Sequence, residues 1–266
     1  MLEVSNLSVT TSSGRPILTD CSWSVPTGGR LGIIGESGSG KSITALAIMG
    51  LLPEGMRATG SVTLDGQELL TLTETERQRT RGSRIAMVFQ EPLTALDPLM
   101  KVGRQIVGPL RLHQHLSRRQ AQSRMLELLH QVALHDAERI AASYPWQLSG
   151  GQRQRVALAM VLACQPEVII ADEPTTALDV TVQAEVLELL TTLVDQLGTT
   201  LVFITHDLPV LAQVAQNLVV MRGGQVVEQT TVADGLADPQ AAYTRQLVTA
   251  AREVSFLPAL EEAPGE

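Results

Sequence analysis

Leu31-Gly32-Ile33-Ile34-Gly35-Glu36-Ser37-Gly38-Ser39-Gly40-Lys41-Ser42, followed by ITALAIMGLLP from Ile43 to Pro53, decides the fold. Leu31 to Ile34 form a continuous apolar run, the pattern of a strand buried on both faces of a parallel sheet. Gly35 to Ser42 fit G-x4-G-K-[ST], and the stretch after them has helical texture. Strand, glycine loop and helix in that order make an anion site. The glycines let backbone N–H groups turn inward around phosphate, and the helix start adds partial positive charge. Lys41 is then placed to reach the β- and γ-phosphates, and the Ser42 hydroxyl to ligate Mg2+. The plainer alternative, a glycine turn beside an exposed lysine, does not explain the flanking strand and helix.

Outward from this unit, further buried strands are expected at Ile85–Phe89, Val168–Ala171 and Leu201–Ile204, separated by helical patterns as in an α/β sheet. Short alternating runs at Leu2–Val9 and Pro16–Val25, around Ser12-Ser13-Gly14, predict an antiparallel edge hairpin. Gly223-Gly224, between Leu218–Met221 and Val226-Val227, predicts a closing hairpin. From about Leu99 to Ala163 only helical spacing is visible, which predicts an all-helical insertion. The tail beyond Glu253 is acidic and expected to fray. Trp23 is expected in the core, since it sits in an alternating strand.

Composition narrows the function classes. The chain has 266 residues, 44% hydrophobic and 18% charged, which fits a folded protein with a sizeable core. Only 3% are aromatic, too few for stacking along single-stranded nucleic acid, and the net charge of −8 has the wrong sign for coating a polyanion. No nucleic-acid partner is expected. Cys21 and Cys164 are far apart, so neither a disulfide framework nor a cysteine zinc site can be read. The start, MLEVSNLSVTTSSG, lacks a basic region followed by an apolar stretch, and no window approaches the ~18 apolar residues of a membrane span, so a soluble, unexported chain is expected. Charge is uneven: Arg77 to Arg155 carries 13 Lys and Arg against 5 Asp and Glu. That basic stretch is either a set of solvated helix faces or a site for acidic loops, phospholipid head groups or nucleic acid.

A phosphate cradle needs an acidic partner to hold Mg2+ and polarise a water. Val168-Ile169-Ile170-Ala171 delivers Asp172 to the carboxyl end of a buried strand, where ligands sit in open parallel sheets, and Glu173 follows, placed to orient or deprotonate an attacking water. Leu148-Ser149-Gly150-Gly151-Gln152 offers a second anion site, built from a serine hydroxyl, glycine N–H groups and a helix start. Taken alone it is equally a helix cap with Ser149 as the capping residue.

With LSGGQ the sequence resembles the ATP-binding-cassette (ABC) family. The resemblance covers about residues 1–247 and implies a P-loop NTPase fold with a RecA-like core, an antiparallel β edge subdomain and an inserted helical subdomain. It implies one cassette domain over residues 1–252, with the core at about 1–98 and 164–235, the helical subdomain at about 99–163, and a C-terminal helix and acidic tail at 236–266. It further implies that Gln90 reaches Mg2+ and the water, that Asp179 of Ala177-Leu178-Asp179 touches a partner subunit, that His206 contacts the γ-phosphate, and that Ser149 to Gln152 meet an ATP held by the other subunit. ATP and Mg2+ are the implied cofactors.

The stretches ESGSGKS, QEPLTALDPLMKVGRQI, YPWQLSGGQRQRVALAMVLACQPEVIIADEPTTALDVTVQAEV and Tyr243-Thr244-Arg245-Gln246-Leu247 look like the peptide/nickel importer branch. That branch implies a peripheral ATPase on the cytoplasmic side of the membrane, with two permease subunits, a second ATPase subunit that is more often a different chain than a copy, and an extracytoplasmic binding protein. An exporter ATPase and a soluble non-transport cassette are the alternatives. The sequence departs from the family where Val9-Thr10-Thr11 stands in place of the usual adenine-stacking aromatic. The tail also lacks the cysteines of those relatives that hold an iron–sulfur cluster, so no cluster is expected.

Overall fold

The computed structural model describes residues 1–89, 96–176 and 178–254. Two sheets meet over one apolar layer. The smaller sheet is antiparallel, built from β1 (Leu2–Thr10), β2 (Pro16–Val25), β4 (Arg57–Leu64) and β5 (Gln67–Glu68) in the order β2-β1-β4-β5. The larger has the order β10-β9-β3-β8-β7-β6. In it β3 (Arg30–Ile34), β6 (Ile85–Val88), β7 (Val168–Asp172), β8 (Thr200–Thr205) and β9 (Asn217–Arg222) run parallel, and β10 (Gln225–Thr231) closes antiparallel on β9. The uniformly apolar runs read from the sequence are these inner strands: every residue of β6, β7 and β8 is buried.

The predicted edge hairpin is β1 paired with β2, from Leu2 opposite Val25 to Thr10 opposite Pro16. Its inward residues Leu2, Val4, Leu7 and Val9 pack with Trp23 and with Ile33 and Val219 of the parallel sheet, and Trp23 is 3% exposed. Helix α1 (Lys41–Met49) starts two residues before the helical texture begins and ends before Pro53. It stops because Gly50 turns left-handed and sends its N–H back to Ala47 and Leu46. The strands β4 and β5 and the helix α2 (Glu74–Thr80) were not read from the sequence. The Thr73…Glu76 spacing that starts α2 forms a reciprocal capping box.

Between Val102 and Leu162 the described residues hold helices: α3 (Val102–His113), α4 (Arg118–Gln131), α5 (Ala137–Ala142), a 3-10 turn at Pro145–Gln147, and α6 (Gly150–Leu162). Val102, Ile106, Leu110, Met125, Leu128, Leu129, Ile140, Leu148 and Val156 bury their inner faces together. The chain then returns through β7, α7 (Val180–Leu197), β8 and α8 (Leu208–Val214) to β9, β10, α9 (Val232–Ala237) and α10 (Ala242–Val254). The expected fraying beyond Glu253 falls mainly on residues 255–266, outside the described residues.

Candidate functional site

The site lies at the carboxyl ends of β3 and β7, the edge where loops leave a parallel sheet. Gly35 to Gly40 turn from β3 into α1. Gly40 has φ of 102°, a conformation closed to L side chains, and a Cβ there would stand 2.4 Å from Leu18 Cδ2. Helix α1 begins with no side chain capping it, so its first N–H groups stay available to an anion. Lys41 is 5% exposed, and its Nζ donates to Gly35 O at 2.7 Å and Glu36 O at 3.0 Å. An ammonium has three donors, so the third remains for a phosphate oxygen. Burial lowers the Lys41 pKa, and the charges of Glu173, Asp172 and Glu36 oppose that shift.

Asp172 ends β7 and is 5% exposed. Burial raises its pKa, and a hydrogen bond with Ser42 pulls it back. Its Oδ1 is buried without a hydrogen-bond partner among the described residues. An orphaned carboxylate oxygen beside a serine hydroxyl is a hard-oxygen pair of the kind Mg2+ takes when it arrives with phosphates. The residues present therefore fit Mg2+. Among the described residues no group of three His, Cys, Asp or Glu could hold a metal.

Glu173 follows in a left-handed conformation, φ 46°, while its N–H donates to Ile204 O at 2.8 Å. Holding a non-glycine residue there costs about 1–2 kcal/mol, and such strain gathers at functional positions. The twist directs the carboxylate toward β8. Oε1 lies 3.1 Å from His206 Nδ1 and Oε2 accepts from Thr176 Oγ1 at 3.1 Å. The Glu173 side chain is 15% exposed and that of His206 55%.

The structure brings Glu36, Ser37, Gly38, Gly40, Lys41, Ser42, Glu173 and His206 together around one cleft of about 790 Å3, whose lining does not include Gly35, Ser39 or Asp172. Ile17, Met56 and Thr176 also line it and were not singled out from the sequence. Thr176 could have been, since a hydroxyl three residues after a carboxylate in a turn is within bonding reach. Nothing in sequence marks Ile17 or Met56.

Ser149, Gly150, Gly151, Gln152 and Asp179 do not line that cleft. Ser149 caps α6: its Oγ accepts from Gln152 N at 3.3 Å, and Gln152 Oε1 accepts from Ser149 N at 3.1 Å. The Gln152 carbonyl oxygen is thus engaged in the cap, while Ser149 and Gly150 are exposed. Asp179 caps α7, its Oδ1 accepting from Val182 N at 3.1 Å. The two helix starts touch, because a Cβ on Gly151 would meet Val182 Cγ1 at 2.6 Å. The Ser149 stretch is thus a helix cap whose first residues, Ser149 and Gly150, are exposed. Gln90 lies outside the described residues, as does Ala177, and β6 ends at Val88.

A family model described as ABC transporter matches residues 18–176. A probable peptide ABC transporter ATP-binding protein of Sinorhizobium fredii is 50% identical over 84% of this chain and 68% of its own length. The metal-staphylopine import system ATP-binding protein of Staphylococcus aureus is 40% identical over 96% of this chain and 94% of its own. A cassette solved as a dimer in a post-hydrolysis state with ADP and Pi superposes with TM-score 0.77 at 32% identity, over 87% of this chain and 99% of that one. Cleft, fold and kinship agree: the chain belongs to the ABC transporter family, among its ATP-hydrolysing subunits that bind ATP with Mg2+.

Proposed function

We propose that this chain energises an importer for peptides, nickel or a metal chelate, from the cytoplasmic face of the cell membrane, with two permease subunits, a second and similar ATPase subunit, and an extracytoplasmic binding protein. The observation that carries the reading is the convergence of Lys41, Ser42, Glu173 and His206 on one cleft with Asp172 beneath it. Relatives named for peptide and metal-staphylopine transport support import over export. No helix among the described residues is long and apolar enough to cross a membrane; in this reading the permease subunits supply the membrane spans.

In this reading Gly35 to Gly40 and the start of α1 hold the phosphates, and Lys41 supplies its third proton donor to them. Ser42 and Asp172, with Gln90, hold Mg2+, which when bound offsets phosphate charge. Glu173 orients and deprotonates the attacking water, and His206, fixed by the Glu173 carboxylate, faces the γ-phosphate. Ser149 to Gly151 present a helix start to the ATP of the partner subunit, and Asp179 stands beside them at that interface. The same reading takes one cassette domain over residues 1–252, with the core at about 1–98 and 164–235, the helical subdomain at about 99–163, and a C-terminal helix and acidic tail at 236–266.

The permeases dock on the helical subdomain. A cleft of about 1100 Å3 there is lined by Lys101, Arg104, Arg111 and Arg118 against Asp97 and Glu138, a net basic lining, with Leu99 87% exposed beside them, chemistry suited to an amphipathic, acidic loop. Of the readings of the basic stretch, the one for acidic loops is favoured.

The test uses composite sites. Ser149→Arg should leave ATP binding to the isolated chain intact and abolish turnover in the assembled transporter, because it obstructs the partner's phosphate and not its own. Rapid hydrolysis by a strict monomer, at a specific rate independent of protein concentration, would refute the scheme.

A further inference from the structure

The C-terminal helix reaches the phosphate loop. Tyr243, 8% exposed, packs with Ile34 and Val220 at the end of β3 and β9, and its hydroxyl accepts a hydrogen bond from Glu36 N at 2.9 Å across 207 residues of sequence. That N–H belongs to the peptide unit whose other end is Gly35 O, the acceptor of the 2.7 Å bond from Lys41 Nζ. A peptide unit is planar and stiff, so Tyr243 and Lys41 are tied to opposite ends of one rigid plate. One further contact holds the tyrosine: the Arg222 guanidinium lies 4.8 Å over its ring, and the same Arg222 reaches the Glu36 carboxylate, with Nε at 3.9 Å. At the start of α10, Glu228 accepts from Gln240 N and Ala241 N at 2.9 Å each.

We propose that Tyr243 is a positioning residue for nucleotide binding: through the Gly35–Glu36 peptide it sets the place of the Lys41 ammonium, so that seating of α10 tunes affinity for the nucleotide's phosphates. The inference rests on the reading of Lys41 as a phosphate ligand. Without the hydroxyl the plate is free to tilt, Gly35 O shifts, and Lys41 loses the anchor that aims its third donor. The ring, the Arg222 contact and the apolar packing do not need the oxygen. Tyr243→Phe therefore separates aiming from folding.

The experiment compares the full chain with Tyr243→Phe and Lys41→Ala, measuring dissociation constants for ATP, melting temperature without nucleotide, and exchange of the Glu36 amide. In the phenylalanine variant the ATP dissociation constant is expected to rise about 2- to 12-fold, the equivalent of one net hydrogen bond, with Tm falling by no more than about 4 °C. Glu36 amide exchange should accelerate while amides within α10 keep their protection, and in the assembled transporter KM for ATP should rise with kcat nearly unchanged. An unchanged dissociation constant overturns the inference, whatever happens to Tm. So does a Glu36 amide that already exchanges as fast as an exposed loop amide in the unaltered chain, a measurement that needs no variant to fold. Lys41→Ala separates the two failures: if it binds ATP normally, the reading of Lys41 is wrong, whereas if it loses ATP and Tyr243→Phe does not, only the role of Tyr243 falls.

Discussion

Replacing Glu173 with glutamine tests the proposed base with little disturbance to the fold. Contacts of the Glu173 carboxylate include Oε1 to His206 Nδ1 and Oε2 to Thr176 Oγ1, both at 3.1 Å. A glutamine of the same shape keeps its carbonyl oxygen on Thr176 and turns its NH2 toward His206, which accepts it in the matching tautomer. The φ of 46° is unchanged, because glutamine meets the same backbone constraint. Folding should therefore change on the scale of one hydrogen bond, about 0.5–1.5 kcal/mol. Loss of a positioned general base costs about 10²–10⁴ in rate, or about 2.7–5.5 kcal/mol at the transition state. These scales are far enough apart to be read separately. ATP turnover of the assembled transporter should drop by two to four orders of magnitude, while the ATP dissociation constant and Tm of the chain stay close to the unaltered values. Turnover within about threefold of the original would remove Glu173 from the mechanism. A companion, Glu173→Gly, relieves the backbone strain and should be equally inactive without losing stability, since glycine adopts this φ freely.

Two further outcomes follow from other parts of the molecule. Burial by itself would raise the Glu228 pKa, but hydrogen bonds from Gln240 N and Ala241 N pull it down and the carboxyl is held below its usual 4.5; a depressed folded pKa contributes stability above the unfolded value and loses it as pH falls through the folded one. Glu228→Gln should therefore cost about 0.3–1 kcal/mol at pH 7, the worth of a carboxylate at a helix start, and the difference should close below pH 4.5 in melting curves. At the base end, Thr11 Oγ1 is spent on the hairpin turn, accepting from Arg15 N at 3.2 Å, and no aromatic precedes Trp23, so ATP and GTP should bind with similar constants. Thr11→Tyr should tighten both by about 0.5–1.5 kcal/mol if its ring stacks; a strong preference of the unaltered chain for ATP would mean that another group reads the base.

How much of this was legible in sequence depends on the range over which each feature is determined. The phosphate loop was fully readable because strand, glycines, lysine and helix are consecutive, and the physics that selects them acts within twelve residues. Asp172 and Glu173 were readable because four buried apolar residues announce the strand that delivers them, although the left-handed twist at Glu173 has no sequence mark: glutamate is an unexpected residue there, and only pairing with Ile204 O imposes it. Strand β4 escaped because its burial pattern is mostly exposed or partial, so alternation is weak and its place is set by pairing with β1. The capping role of Gln152 is legible in the Ser149-x-x-Gln152 spacing, since serine and glutamine three residues apart at a helix start satisfy each other's backbone N–H groups. The contact of Tyr243 with Glu36 lies at the far end of this scale. Its partners are 207 residues apart, and no period or spacing connects them; it exists because β9, next to β3 in the sheet, leads through β10 to a helix that packs back over the end of β3. Local chemistry thus predicts the groups that touch phosphate, while tertiary closure decides how firmly they are aimed. It follows that changes in α10, far from any nucleotide motif in sequence, should act on ATP affinity before they act on catalysis.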